Sequence, residues 1–161
     1  MARRGPTTGD RAPLFERLSD DNPAASGEPR PQRLLDADGI RRSVLAELQR
    51  LLNTRRGPAA GRWPVAGTVL GYGVPDHALD NPASVRDQKA LCTEVENAIR
   101  AFEPRLQDVR VWVADDAGGR GRLALGLTGT IKLDRHAIPV HFPMTLSADG
   151  VTVGDDGSDT A

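Results

Sequence analysis

Between Leu91 and Val113 the apolar pattern changes from helical to strand spacing across a single proline, and this junction limits the possible folds more than any other feature. Leu91, Val95, Ala98, Ile99 and Phe102 recur at three- and four-residue intervals, giving one apolar stripe of a helix that needs a core to lie on. Pro104 ends that helix, because the residue before a proline is pushed out of right-handed helical space and the ring offers no backbone donor. Val109, Val111 and Val113 then alternate at strand spacing. Glu103 and Arg105 therefore share one corner of the fold. Arg105 suits the negative end of a helix, whereas Glu103 opposes it at a typical cost of about 0.3–1 kcal/mol. The Glu103 carboxylate thus serves something other than its own helix. It pairs inside the domain or meets a partner, and the chemistry of the corner favours neither.

A second helical stripe precedes it. Ile40, Val44, Leu45, Leu48, Leu51 and Leu52 form one face, with Asp36 or Asp38 available as N-cap and Gly57-Pro58 as terminator. Arg41, Arg42, Arg50, Arg55 and Arg56 decorate this helix as a solvated basic face or, less simply, an acidic-partner surface. Asn81-Pro82 or Ser84 opens the later helix, with Ser84 and Asp87 at capping-box spacing. Period-two runs follow at Leu123, Leu125 and Leu127 and at Ile138, Val140, Phe142, Met144 and Leu146. Turns are expected over 118–121 and 134–136. The expected class is α+β: two main amphipathic helices on a small antiparallel sheet of about three to four strands. Pro139 and Pro143 share parity, so both missing donors fall on one side of the last strand, which should be a free edge.

Composition excludes more than it suggests. A chain of 161 residues is expected to be one domain, and its net charge of -1 gives no general pull toward nucleic acid or anionic lipid. The single cysteine, Cys92, cannot form an internal disulfide and is expected as a small buried hydrophobe. No run reaches the length and apolarity of a membrane span or a signal peptide, so a cytoplasmic location is expected. His136 and His141, if on one strand, face opposite ways, which argues with the isolation of His77 against a shared metal. No Gly-x-Ser-x-Gly elbow exists, and Cys92 lacks a nearby histidine. Glu94 and Glu96 point about 200° apart on a helix, so no acid–base pair is visible. Gly71, Tyr72, Gly73, Pro75 and Asp76 read as tight turns; a phosphate loop would need GxxxxGK[ST], which is missing. No cofactor is expected.

Residues 1–33 are rich in Pro, Gly, Ser and charge and read as a flexible, disordered extension. One island interrupts it, in which Leu14, Phe15 and Leu18 would share a helical face as a docking peptide or a turn on the domain itself. The folded part is expected over 34–148, followed by a frayed acidic tail over 149–161.

LFERL near the start, SVLAELQRLLNTRR with Asn53, Thr54 and Arg55, VLGYGVPD, VENAIRAFEPRL and a terminal sheet stand in series. In that order they resemble the TssE family of type VI secretion baseplate wedge subunits, and more broadly the gene-25-like, "lysozyme-like" wedge proteins of contractile phage tails. The long N-terminal extension and the Arg56 to Pro64 segment depart from the pattern. The resemblance implies a structural, non-enzymatic wedge component recruited to the cytoplasmic face of the inner membrane. It implies other wedge subunits (TssF/TssG-like) and sheath subunits (TssB/TssC-like) as partners, with no nucleic acid, small-molecule substrate or membrane insertion. Glu103, Pro104 and Arg105 match the family's wedge-contact motif, and Leu14, Phe15 and Leu18 are candidate partner contacts. Sheath assembly would begin by strand addition to the sheet, at the edge opposite the prolines or at the terminal segments. The alternatives are a peptidoglycan-cleaving muramidase and the baseplate protein of a phage-like injection device.

Overall fold

The structure is a computed structural model that describes residues 10–11, 34–57, 67–75, 84–114, 122–132 and 137–155. Leu14, Phe15, Leu18, Asp76, His77, His136 and the expected turns at 118–121 and 134–136 lie outside the described residues. The chain divides into two compact units, Met1–Ser43 and Val44–Ala161.

In the first unit, β1 (Asp10–Arg11) pairs antiparallel with β2 (Leu34–Leu35). Asp36 then caps α1 (Ala37–Asn53): its Oδ1 accepts from the Gly39 amide at 2.8 Å and its carbonyl from Ile40 at 2.9 Å. Of the two possible caps, Asp36 is the one used.

In the second unit, Val44, Leu48, Leu51 and Leu52 are buried along α1. The helix ends at Asn53, short of the expected Gly57-Pro58 stop. A tertiary pairing takes the chain from there: the Val74 amide donates to the Thr54 carbonyl at 3.0 Å and the Arg56 amide to the Val74 carbonyl at 2.8 Å. Ser84 caps α2 (Val85–Phe102) by accepting from the Asp87 amide, and Leu91, Val95, Ala98 and Ile99 are its buried stripe. Cys92, beside that stripe, is half-buried rather than buried, and burial followed by the Glu96 charge pushes its thiol pKa up.

Four strands follow, in the spatial order β3 (Leu106–Val113), β4 (Leu123–Lys132), β5 (Ala137–Ser147) and β6 (Gly150–Val153), every pair antiparallel. The inward row runs through Val109, Val111, Leu125, Leu127, Val140, Phe142, Met144 and Leu146, all buried. A bulge near the start of β3, with Asp108 at φ 53°, places Leu106 and Val109 both inward despite their three-residue spacing.

Two expectations need correcting. The stretch Gly150–Val153 is not part of a frayed tail but a strand on β5, entered through Gly150 at φ 134°. The proline side of β5 is correspondingly not a free edge throughout. Pro143 turns its carbonyl to the Gly154 amide at 2.7 Å, and β6 pairs with Met144 to Ser147 on that side. The pairing stops where Pro143 has no hydrogen to return, so proline sets the length of β6.

Candidate functional site

The three motifs singled out from the sequence meet at one corner of the second unit. Its centre is Tyr72. The Val69–Gly71 3-10 turn delivers this residue, with the Gly71 amide donating to Thr68 at 2.9 Å. The Tyr72 hydroxyl donates to Glu47 Oε1 at 2.8 Å, and its ring meets Phe102 edge to face at 5.2 Å between centroids. One residue thereby ties α1 to the end of α2. Gly73 makes this possible. At φ 102° it lies so close to α1 that a Cβ would stand 2.4 Å from the Thr54 carbonyl oxygen, so no other residue fits there unstrained.

Glu103 is the C-cap of α2, with its amide on the Ile99 carbonyl, and it is 1% exposed. Its carboxylate is forked by Arg105: Nε on Oε1 at 2.7 Å, Nη2 on Oε2 at 2.6 Å, and the Arg105 backbone amide on Oε1 at 3.2 Å. In the isolated chain the two charges of the corner thus satisfy each other across Pro104, which remains exposed. The Arg105 side chain keeps 28% of its surface in solvent.

Glu47 completes the cluster through Arg50, at 2.7 Å. Burial pulls its carboxyl pKa up, but hydrogen bonds from Arg50 and Tyr72 and the charges of Arg50 and Arg105 outweigh it, and the net shift is downward. The Tyr72 phenol is pushed up to about 12, first by burial and then by its bond to Glu47. These are the signatures of a tied charge network rather than of a proton-transfer site.

Asn53, Thr54 and Arg55 serve backbone geometry. Asn53 Nδ2 donates to the Val151 carbonyl at 2.8 Å while its Oδ1 accepts from the Val151 amide at 3.0 Å. Thr54 returns its hydroxyl to the Arg50 carbonyl, and Arg55 forms a parallel bridge with Val74. The basic face is partly consumed, since Arg56 pairs with Glu94 at 3.2 Å and Arg50 with Glu47.

Glu47, Gln49 and Arg100 were not singled out from the sequence, and Glu96 was weighed there only as a possible acid. Glu96 and Arg100 stand at the i,i+4 spacing of a helix ion pair, which is a readable signal, and they bond at 2.7 Å. Trp112 and His141, from β3 and β5, stack on the outer sheet face at 5.7 Å, with Trp112 lying where a Cβ on Gly126 would otherwise be. An apolar pocket between the helices and the sheet is lined by Leu52, Val74, Leu91, Val95 and Leu125 among others, without a carboxylate or histidine. Among the described residues no group of three or more His, Cys, Asp or Glu could hold a metal.

The sequence model of the family described as "Baseplate wedge protein gp25" matches residues 38–136. Among solved structures, the chain resembles one from "The baseplate complex from the type VI secretion system" at a TM-score of 0.52 and 17% identity, covering 73% of this chain and 96% of that one. A crystal structure described as that of a "putative tail lysozyme" from Geobacter sulfurreducens aligns at a TM-score of 0.46 and 18% identity over 68% of this chain and 92% of that one. At these identities the likeness is one of fold. No curated protein matches the sequence.

Proposed function

This chain belongs to the baseplate wedge protein gp25 family, and from that premise we propose that it is a structural wedge component of a type VI secretion baseplate. In this reading it links TssF/TssG-like wedge subunits, offers its sheet to TssB/TssC-like sheath subunits, and acts at the cytoplasmic face of the inner membrane. The observation that carries the reading is the family match over residues 38–136, which spans both helices and the first two strands of the main sheet. No helix among the described residues is long and apolar enough to cross a membrane, which fits attachment through partners.

The Glu103-Pro104-Arg105 corner is the proposed wedge contact. A rigid proline stands in solvent beside a guanidinium that its own carboxylate already holds in one orientation, so little side-chain entropy is left to lose on docking. Leu14, Phe15 and Leu18 are proposed as a second contact. The proposal is non-enzymatic: the helix carboxylates Glu94 and Glu96 and the corner carboxylate Glu103 are each engaged by an arginine, which leaves no unpaired acid among them.

The test is affinity purification of the tagged full chain from its native cells, beside Arg105→Lys and Arg105→Ala, with mass spectrometry of what accompanies it. Recovery of wedge and sheath subunits by the wild type, and their loss with folded Arg105→Lys, supports both the function and the corner. Wild type recovered alone would sink the baseplate reading; a fall in turbidity of purified cell wall would replace it with the muramidase.

A further inference from the structure

Helix side chains reach both lateral edges of the main sheet. On β6, three outward groups are occupied by neutral carboxamides of α1. The Val151 amide and carbonyl are held by Asn53, the same carbonyl also by Gln49 Nε2, and the Val153 amide by Gln49 Oε1 at 2.9 Å. On β3, the Val111 amide donates to Glu96 Oε1 at 2.9 Å, and the Val109 carbonyl accepts from Arg100 Nη2 at 3.0 Å. In both places a pair of residues four apart on a helix puts an acceptor and a donor where a neighbouring strand would put its carbonyl and amide.

The two edges differ in what remains open. β6 is four residues long, its outward groups are bound by uncharged amides, and Asn53 stands 2.4 Å from the position of a Cβ on Gly150, so α1 is packed directly on it. β3 is longer. Ala114 donates its amide inward to the Ala124 carbonyl at 2.9 Å, so Val113 turns its amide and carbonyl outward, where they have no partner among the described residues. The two groups that are covered on β3 are covered by an ion pair whose glutamate is 17% exposed and whose arginine is 46% exposed, so the arginine end of the plug is open to water. The bulge at Asp108 limits the accessible length to Val109–Val113.

We propose that the Val109–Val113 edge of β3 receives an extended segment of a partner subunit, and that Glu96 and Arg100 are placeholders the incoming strand displaces. The partner segment alternates. Its inward side chains are aliphatic, to continue the row of Val111 and Val113, and its outward side chains are acidic, facing exposed Arg110. This rests on the strand-addition reading above and names the edge, the residues that guard it and the chemistry of the strand.

The probe is an end-blocked heptapeptide alternating valine and glutamate, titrated into the full chain while amide exchange is followed by NMR. The Val113 amide is expected to slow by about tenfold or more, with Val151 and Val153 unchanged, that slowing being what about 1.4 kcal/mol of added protection converts to. Glu96→Leu/Arg100→Met should bind the peptide about fivefold tighter, since neither side chain can then hold the Val111 amide or the Val109 carbonyl. Val113→Pro removes an amide that points away from β4, so it should fold and abolish binding, which keeps the test decisive if the double variant does not fold. Unchanged exchange at Val113, protection at Val151 instead, or binding that survives Val113→Pro overturns the proposal. In complexes purified from native cells, sheath subunits present without protection at Val113 would overturn this edge alone, whereas absence of all baseplate subunits would overturn the strand-addition reading.

Discussion

A phenol that donates to a carboxylate away from water resists ionisation, and Tyr72 is the only tyrosine in the chain, so its titration can be read without interference. The tyrosinate absorbance is expected to rise with a midpoint of about 12 instead of the usual 10.0, and Glu47→Gln should bring the midpoint down. Because the folded pKa is raised, the stability Tyr72 contributes is complete below 10.0 and is lost as pH rises toward about 12. A midpoint near 10.0 would mean the Tyr72–Glu47 bond does not persist in solution. Arg105 poses the complementary case. Arg105→Ala leaves a buried carboxylate with only a backbone amide, and should cost about 2–4 kcal/mol in urea unfolding while the transition stays cooperative, the partial exposure of the arginine keeping the figure below that of a fully buried pair. Arg105→Lys keeps the charge but loses the fork, and should cost less than alanine, which is why it is the variant for testing assembly. From sequence, Glu103 could be seen to oppose its helix end. That it folds back on Arg105 two residues later could not, since this depends on the backbone angles at Glu103 and on burial by elements distant in the chain.

Helices and long strands were legible because each carries several turns of one period: the α2 stripe and the alternation through β4 and β5 appear in the structure as read. β6 was not, because Val151-Thr152-Val153 is too short to establish a period and stands in a Gly- and Asp-rich stretch. Its signal was Asp149-Gly150, a turn dipeptide placed just after a strand. The end of α1 was misplaced for a different reason. Local stop residues compete with tertiary backbone pairing, and here the Thr54–Val74 pairing ends the helix first. If β6 is held by α1 as described, Gly150→Ala should destabilise by at least about 1 kcal/mol, since alanine resists a φ of 134° and its Cβ would press on Asn53. Asn53→Ala should cost about 1–2 kcal/mol and, independently of global stability, speed exchange of the Val151 amide, whose acceptor it removes. Exchange as slow as in the wild type would show that another group holds β6.

Across the whole molecule, the motifs at residues 47–56, 71–75 and 102–105 become one charge-and-ring cluster only through folding, and no local spacing encodes that meeting. Its far-reaching test is acid. Burial alone would lift the Glu47 pKa, yet Arg50, Tyr72 and the charge of Arg105 hold it below its ordinary 4.5. A carboxyl depressed in the folded state contributes stability that is present above 4.5 and is lost as pH falls through the folded value. Stability should therefore decline below 4.5 more steeply in the wild type than in Glu47→Gln, with the two differing by a constant amount above it. The comparison isolates Glu47 because the remaining carboxylates titrate in both proteins. The same substitution removes the charge that helps hold Tyr72 neutral and brings its folded pKa back toward 10.0, so one variant should flatten both the acid and the alkaline limb of the stability curve. Parallel curves at both ends would mean that the Tyr72 turn is held by its packing on Phe102 and by the Thr54–Val74 backbone pairing, and that the charges around them are decoration on those contacts.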